Sequence, residues 1–124
     1  MRCLPLADDC GIGEKGTEDI MRCIDAKSLC GASLLAGGPF AEKAAALMGQ
    51  RLAADPGLRA GAHLNLQEGK CSASPSSVPL LADASGRFRH TLGSLCARLL
   101  FLPAPEKKEL IEQTAREWLA QVTR

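Results

Sequence analysis

Aromatic side chains are nearly missing from this 124-residue chain, which has one Trp, three Phe and no Tyr. Without large rings to fill space, a core must be built from close-packed aliphatic helices and strands, and 46% apolar residues suffice for one. That composition favours layered α/β packing over an all-β sandwich. An excess of one charge is missing too. Lys and Arg number 15 against 14 Asp and Glu, spread along the chain, so there is neither a basic stripe for nucleic acid nor an acidic tail. No apolar run approaches the roughly 20 residues of a membrane helix, and Met1 to Ala7 lacks the apolar stretch of a signal peptide. Nucleic acid and a membrane span are therefore excluded from the expected partners.

The six cysteines (Cys3, Cys10, Cys23, Cys30, Cys71, Cys96) form no C-x-x-C pair, and their irregular spacing argues against a zinc knuckle and a thioredoxin-type motif. They read as mostly buried thiols in a reducing cytoplasm rather than as three disulfides of a secreted chain. Cys10, directly after Asp9, either borders a site or packs as a loop thiol. Histidine is scarce, with His63 and His90 the only two.

Along the chain, Cys3 to Ala7 reads as a short strand, with Pro5 marking a start or an edge. Gly11, Gly13 and Gly16 make a loop. From Thr17 to about Lys27, Ile20, Met21, Cys23 and Ile24 recur at helical spacing, with Thr17 as N-cap and Glu18 and Asp19 in the first turn. A second strand spans Leu29 to Ala36. Pro39 opens a helix carrying Phe40, Ala44, Leu47, Met48 and Leu52, which the Asp55, Pro56, Gly57 turn ends. Leu58 to Leu66 is a third strand, apolar on both faces around His63. Strand, helix, strand, helix, strand at short spacing is the pattern of βαβ units on a parallel sheet, and right-handed crossovers bring all strand C-termini to one side. Gln67 to Arg89 is an irregular segment, expected to be a lid or pocket wall, with Ser72, Ser74, Ser76 and Ser77 as loop residues and His90 as solvated surface. Two helices follow, Leu92 to Leu100 and Glu106 to Val122. The second has an apolar face of Ile111, Ala115, Trp118, Leu119 and Val122 that must cover something.

Topology thus converges Asp8, Asp9 and His63 at the strand ends. Two carboxylates and an imidazole suit a divalent metal with a base beside it, because a bound cation acidifies water and polarises a carbonyl while a free carboxylate takes the proton. Neighbouring residues on a strand end point opposite ways, so one Asp can bind metal while the other faces water. Against this, an Asp pair also caps turns, and a lone His on an apolar strand is often a hydrogen-bonded core residue.

The runs Ala7-Asp8-Asp9-Cys10-Gly11, Ser33-Leu34-Leu35-Ala36-Gly37-Gly38-Pro39 and Gly61-Ala62-His63-Leu64-Asn65-Leu66-Gln67-Glu68-Gly69, in this order and spacing, resemble the YdjC-like carbohydrate deacetylases. Val78-Pro79, Leu81, Asp83, Gly86, Arg87 and Phe88, and then Phe101-Leu102-Pro103, are similar to the hopanoid-biosynthesis branch. The resemblance covers nearly the whole chain as a single domain, the N-terminal half of the family's fold. It implies an incomplete (β/α) barrel of the polysaccharide-deacetylase-like type, and a metal-dependent hydrolase that removes acetyl from an N-acetylated sugar or glycolipid. It implies Asp8 as general base, Asp9 and His63 as ligands of a divalent metal (Mg or Zn), and Asn65, Glu68 and Lys70 as substrate contacts on the pocket rim.

The chain departs from the family pattern at Leu6, Cys10, Thr17 and Gly37. The family's His-rich segment, which supplies a third ligand, falls after the point where this chain stops at Arg124. Two ligands and a three-stranded sheet with a bare edge make self-completion as a homo-oligomer an expectation. The alternative function is a catalytically inactive, oligomerising carbohydrate- or partner-binding module using that edge and the Trp118 face. A Mg-dependent phosphate-ester hydrolase has less support, because Gly11, Gly13 and Gly16 do not fit P-loop spacing.

Overall fold

Strand and helix alternate from Ala7 onward. The computed structural model describes residues 4–123, and the chain divides into two compact units, Met1–His63 and Leu64–Arg124. The first unit contains β1 (Ala7–Cys10), α1 (Glu14–Asp25), β2 (Gly31–Leu35), α2 (Ala41–Ala54) and β3 (Arg59–His63). The strands are parallel in the order β1-β2-β3, which is the expected α/β sheet of βα units. One boundary moves in an informative way. Of the expected first strand, Cys3 lies outside the described residues and Leu4 to Leu6 precede the strand, with Pro5 O accepting from Cys30 N (2.8 Å); the strand begins at Ala7 and carries both aspartates inside it.

Alternation along β2 decides which side is core. Ala32 and Leu34 pack with Cys10, Met21, Ile24, Ala44, Met48 and Leu58 in the aliphatic core that α1 and α2 form on the sheet, so Ser33 and Leu35 lie on the opposite face. Helix α1 starts three residues before the expected Thr17, with Gly13 as its N-cap. Thr17 is buried in the first turns, where its hydroxyl accepts from Gly11 N (3.1 Å) and donates to Gly13 O (2.7 Å). It is therefore not the expected N-cap: it satisfies no free helical N–H, and instead ties the Gly11 turn to the first turn of the helix. Arg51 on α2 makes a two-pronged bond to Asp25 on α1 (2.8 and 2.6 Å) and holds that carboxyl below the usual range. Lys43 reaches Glu14 at 2.8 Å. Being solvent-exposed, such pairs contribute little individually.

The expectation of apolar faces on β3 is not met, since Arg59 to Ala62 are all exposed. As the sheet edge, β3 has one laddered neighbour, and its Ala-Gly-Ala centre has almost no side chain to bury.

The second unit holds a 3-10 turn (Pro75–Ser77), α3 (Leu92–Phe101) and α4 (Ala104–Thr123). Its core is Val78, Leu81, Ala82, Leu95 and Leu110. Here the expected burial is inverted. Ile111, Trp118, Leu119 and Val122 are exposed, as is Ala115, whereas Gln113, Glu117 and Gln121 are buried beside Leu110. The cause is the irregular segment 65–80, whose backbone N–H groups lack ladder partners and must find acceptors. Gln113 Oε1 accepts from Leu80 N (2.8 Å), and the Glu117 carboxylate accepts from Ser72 N (2.7 Å) and Ala73 N (2.9 Å). Gln121 binds both backbone groups of Asn65, accepting from its N–H (2.9 Å) and donating to its carbonyl (2.5 Å), and donates to Glu117 Oε1 (2.9 Å). Spaced four residues apart, the three side chains act as a surrogate strand for the loop. His90, expected as solvated surface, is half-buried with Nε2 at 2.8 Å from Leu80 O.

The five described cysteines are free thiols, but the expectation that most are buried fails: Cys10 is buried, Cys30 and Cys71 are partly so, and Cys23 and Cys96 are exposed. Burial raises the Cys10 and Cys71 thiols above their ordinary pKa. Brief alkylation of the native chain at neutral pH should therefore modify Cys23 and Cys96 and spare Cys10, read by peptide mass spectrometry; early labelling of Cys10 would contradict its burial. Replacing Glu117 by Gln turns one acceptor oxygen towards its partners as an N–H donor. The unfolding free energy should fall by about 1–3 kcal/mol in urea denaturation, and an unchanged midpoint would refute the ladder's role.

Candidate metal and acid–base site

Strands β1 and β3 flank β2, about 9–10 Å apart at ordinary sheet spacing, so side chains on them meet only if one is re-aimed. The backbone supplies this at Asp8 and Asp9. Ala7 pairs with Ala32 and Cys10 with Leu34, three steps on β1 against two on β2, so the acidic pair forms a bulge. Asp9 takes φ +60, in the left-handed region that Asp tolerates better than most residues. The turn after β1 is fixed where it leaves the bulge: Phe40 N donates to Gly11 O (3.0 Å), and a Cβ on Gly38 would stand 2.4 Å from that same oxygen. Only glycine fits there.

The bulge sends the two carboxylates to different partners. Asp8 Oδ1 accepts from Ser33 Oγ on β2 at 2.6 Å. Asp9 Oδ1 stands 3.2 Å from His63 Nδ1, over the end of β2 where Leu35 pairs with His63. That imidazole nitrogen is buried, and the approach is not aligned as a hydrogen bond, which leaves Nδ1 without a hydrogen-bond partner. An orphaned buried nitrogen facing a carboxylate oxygen fits a shared cation. Two donors about 2.1 Å from one ion, at tetrahedral or octahedral angles, stand about 3.0–3.4 Å apart. Among the described residues no group of three or more His, Cys, Asp and Glu is gathered at one point, so no third such residue joins this pair there.

Cys10 does not border the site; it is fully buried in the core under the helices. Asn65, Glu68 and Lys70 belong to the second unit. The Asn65 amide organises its own turn, with Oδ1 accepting from Gln67 N (2.9 Å) and Glu68 N (3.3 Å) and Nδ2 donating to Glu68 O (2.6 Å). Glu68 and Lys70 are exposed, and Lys70 bridges to Arg87 in antiparallel fashion. Sequence reasoning missed Ser33. Its signal was a hydroxyl in the middle of a strand otherwise built of Gly, Ala and Leu.

Residues 6–124 match the family described as YdjC-like protein. Among solved structures, the chain is similar to a protein of Enterococcus faecalis V583 named provisionally for cellobiose-phosphate cleavage, with a TM-score of 0.67 and 25% identity over 97% of this chain. It spans 41% of the length of that protein. No curated protein matches it.

Proposed function

The chain belongs to the YdjC-like family, and from that membership we propose a metal-dependent hydrolase that removes the acetyl group from an N-acetylated sugar or glycolipid in the cytoplasm. The observation that carries the reading is the buried, unpartnered Nδ1 of His63 standing 3.2 Å from Asp9 Oδ1. Asp9 and His63 would hold the ion. When bound, a divalent cation, zinc or magnesium, polarises a carbonyl and acidifies water. Asp8 keeps the oxygen not bonded to Ser33 for the attacking water, takes its proton as the C–O bond forms, and delivers a proton to the nitrogen as the C–N bond breaks. One water is consumed, and acetate and a free amine result. Asn65, Glu68 and Lys70 are the proposed sugar contacts.

Titration of the purified chain with zinc should show binding that Asp9→Asn and His63→Ala each weaken about tenfold or more, and N-acetylglucosamine oligomers should release acetate. Neither binding nor release from the parent chain would overturn the reading.

A second reading is favoured by two exposures. Strand β3 is an uncovered edge, and α4 presents Ile111, Trp118, Leu119 and Val122 to solvent, which suits an inactive, oligomerising carbohydrate- or partner-binding module. Light scattering at micromolar concentration should then give a dimer or larger whether or not zinc is present; a monodisperse monomer would exclude this reading.

A further inference from the structure

The bulge that separates the two aspartates leaves one residue of β2 facing both of them, and that residue is Ser33. In register, Ala32 pairs with Ala7 and Leu34 with Cys10, so Ser33 alone occupies the interval that Asp8 and Asp9 share on β1. On its other side Ser33 pairs with Gly61, where a Cβ would meet nothing within 4 Å. The side chain of Ser33 is half-buried on the face away from the helices, next to a glycine with no side chain to pack on. Packing therefore does not call for a hydroxyl at this place, and a strand interior favours a β-branched or larger apolar residue. What the hydroxyl does is donate to Asp8 Oδ1 at 2.6 Å, the length of a charge-assisted O–H···O⁻ bond.

We propose that Ser33 is a positioning residue for Asp8: its hydroxyl locks one carboxylate oxygen, and so presents the other to the water that Asp8 is to deprotonate. The inference rests on the reading of Asp8 as general base. Asp8 is exposed at the strand surface, where a free aspartate samples several rotamers; a short bond from a residue fixed in the central strand selects one. Asp9 needs no such help, because the left-handed turn of its own backbone directs it to His63. The division of labour is thus built twice, by backbone for the ligand and by side chain for the base. Ser33 touches neither substrate nor ion in this scheme, and acts through Asp8 alone.

The test uses the full chain loaded with zinc and N-acetylglucosamine oligomers. Ser33→Ala should lower kcat by about 10–100-fold, while KM and the zinc affinity stay within about twofold of the parent. Ser33→Thr keeps the hydroxyl and favours a strand, and should restore kcat to within a few-fold. In an Asp8→Asn background the Ser33→Ala change should have no further effect. A parent-like kcat in Ser33→Ala overturns the inference while leaving the hydrolase reading intact. So does a Ser33→Ala variant whose zinc affinity falls along with kcat, because Ser33 would then be supporting the ion site rather than the base. A parent chain that binds zinc and releases no acetate removes the reading of Asp8, and this inference with it.

Discussion

A one-residue mismatch between two parallel strands decides where the two adjacent aspartates of this chain stand. Had β1 and β2 run in register through Asp8 and Asp9, adjacent side chains would alternate, and one aspartate would face the apolar layer of Met21, Ile24, Ala44 and Met48. An ionised carboxylate there, without a partner, would be costly enough to exclude the fold or the charge. The bulge removes the conflict: Cys10 is the residue that turns into the core, and both acids stay on the exposed side. A positive φ at Asp9 stores strain of order 1 kcal/mol or more, which persists only where its surroundings over-determine it. Those surroundings are identifiable: Gly11 beyond the bulge, clamped by Phe40 N and Thr17 Oγ1, and Ser33 across from it.

The second unit solves a different problem with the opposite chemistry. Its connecting segment has little laddered structure, so its backbone polar groups would be unsatisfied in an apolar interior. A helix cannot offer backbone acceptors sideways, because its carbonyls are spent along its own axis. Side-chain amides and a carboxylate at four-residue intervals take over that task in α4, where a stripe of Gln113, Glu117 and Gln121 meets the loop. The polar stripe occupies the buried face, so the apolar residues of the helix are turned outward.

That inversion shows where the sequence was legible and where it was not. Among the described residues, periodicity locates the four α-helices and two of the three strands within a few residues, and strand–helix alternation implies the parallel sheet. Convergence of parallel strand ends brings Asp9 and His63 to the same end of the sheet, but the bulge and the positive φ that carry Asp9 across to His63 are not written in the spacing. Three features stayed hidden, each because a local rule was overridden by a non-local demand. The apolar stripe of Ile111, Trp118 and Leu119 promises a face that covers something because apolar groups usually go inside; the hydrogen-bond needs of residues 65–80, which put the polar stripe there instead, are invisible from the helix alone. The first strand begins later than expected: Leu4 and Leu6 look more strand-like than an acid pair, although it is Ala7 and Cys10, on either side of the acids, that pair with β2. Thr17 is the third: expected as the N-cap, it lies inside α1, whose N-cap is Gly13.

The proposed ligand pair also bounds how the site would behave. Asp9 and His63 come from the two outer strands and meet over the end of the central one, so together they fix one side of an ion's coordination shell. Zinc and magnesium take at least four donors, and the described residues gather no third His, Cys, Asp or Glu at this point. The rest of the shell must come from water or from groups beyond those residues, so occupancy is governed by mass action rather than built into the fold. The proposed base has its own support. Asp8 is bonded to Ser33 and not to the Asp9–His63 pair, so in the proposed scheme the residue that takes the proton is positioned separately from the ion. In the proposed hydrolase, a base held by its own strand neighbour beside a two-residue ion site would place the control of activity in whatever completes the coordination, not in the rearrangement of this sheet.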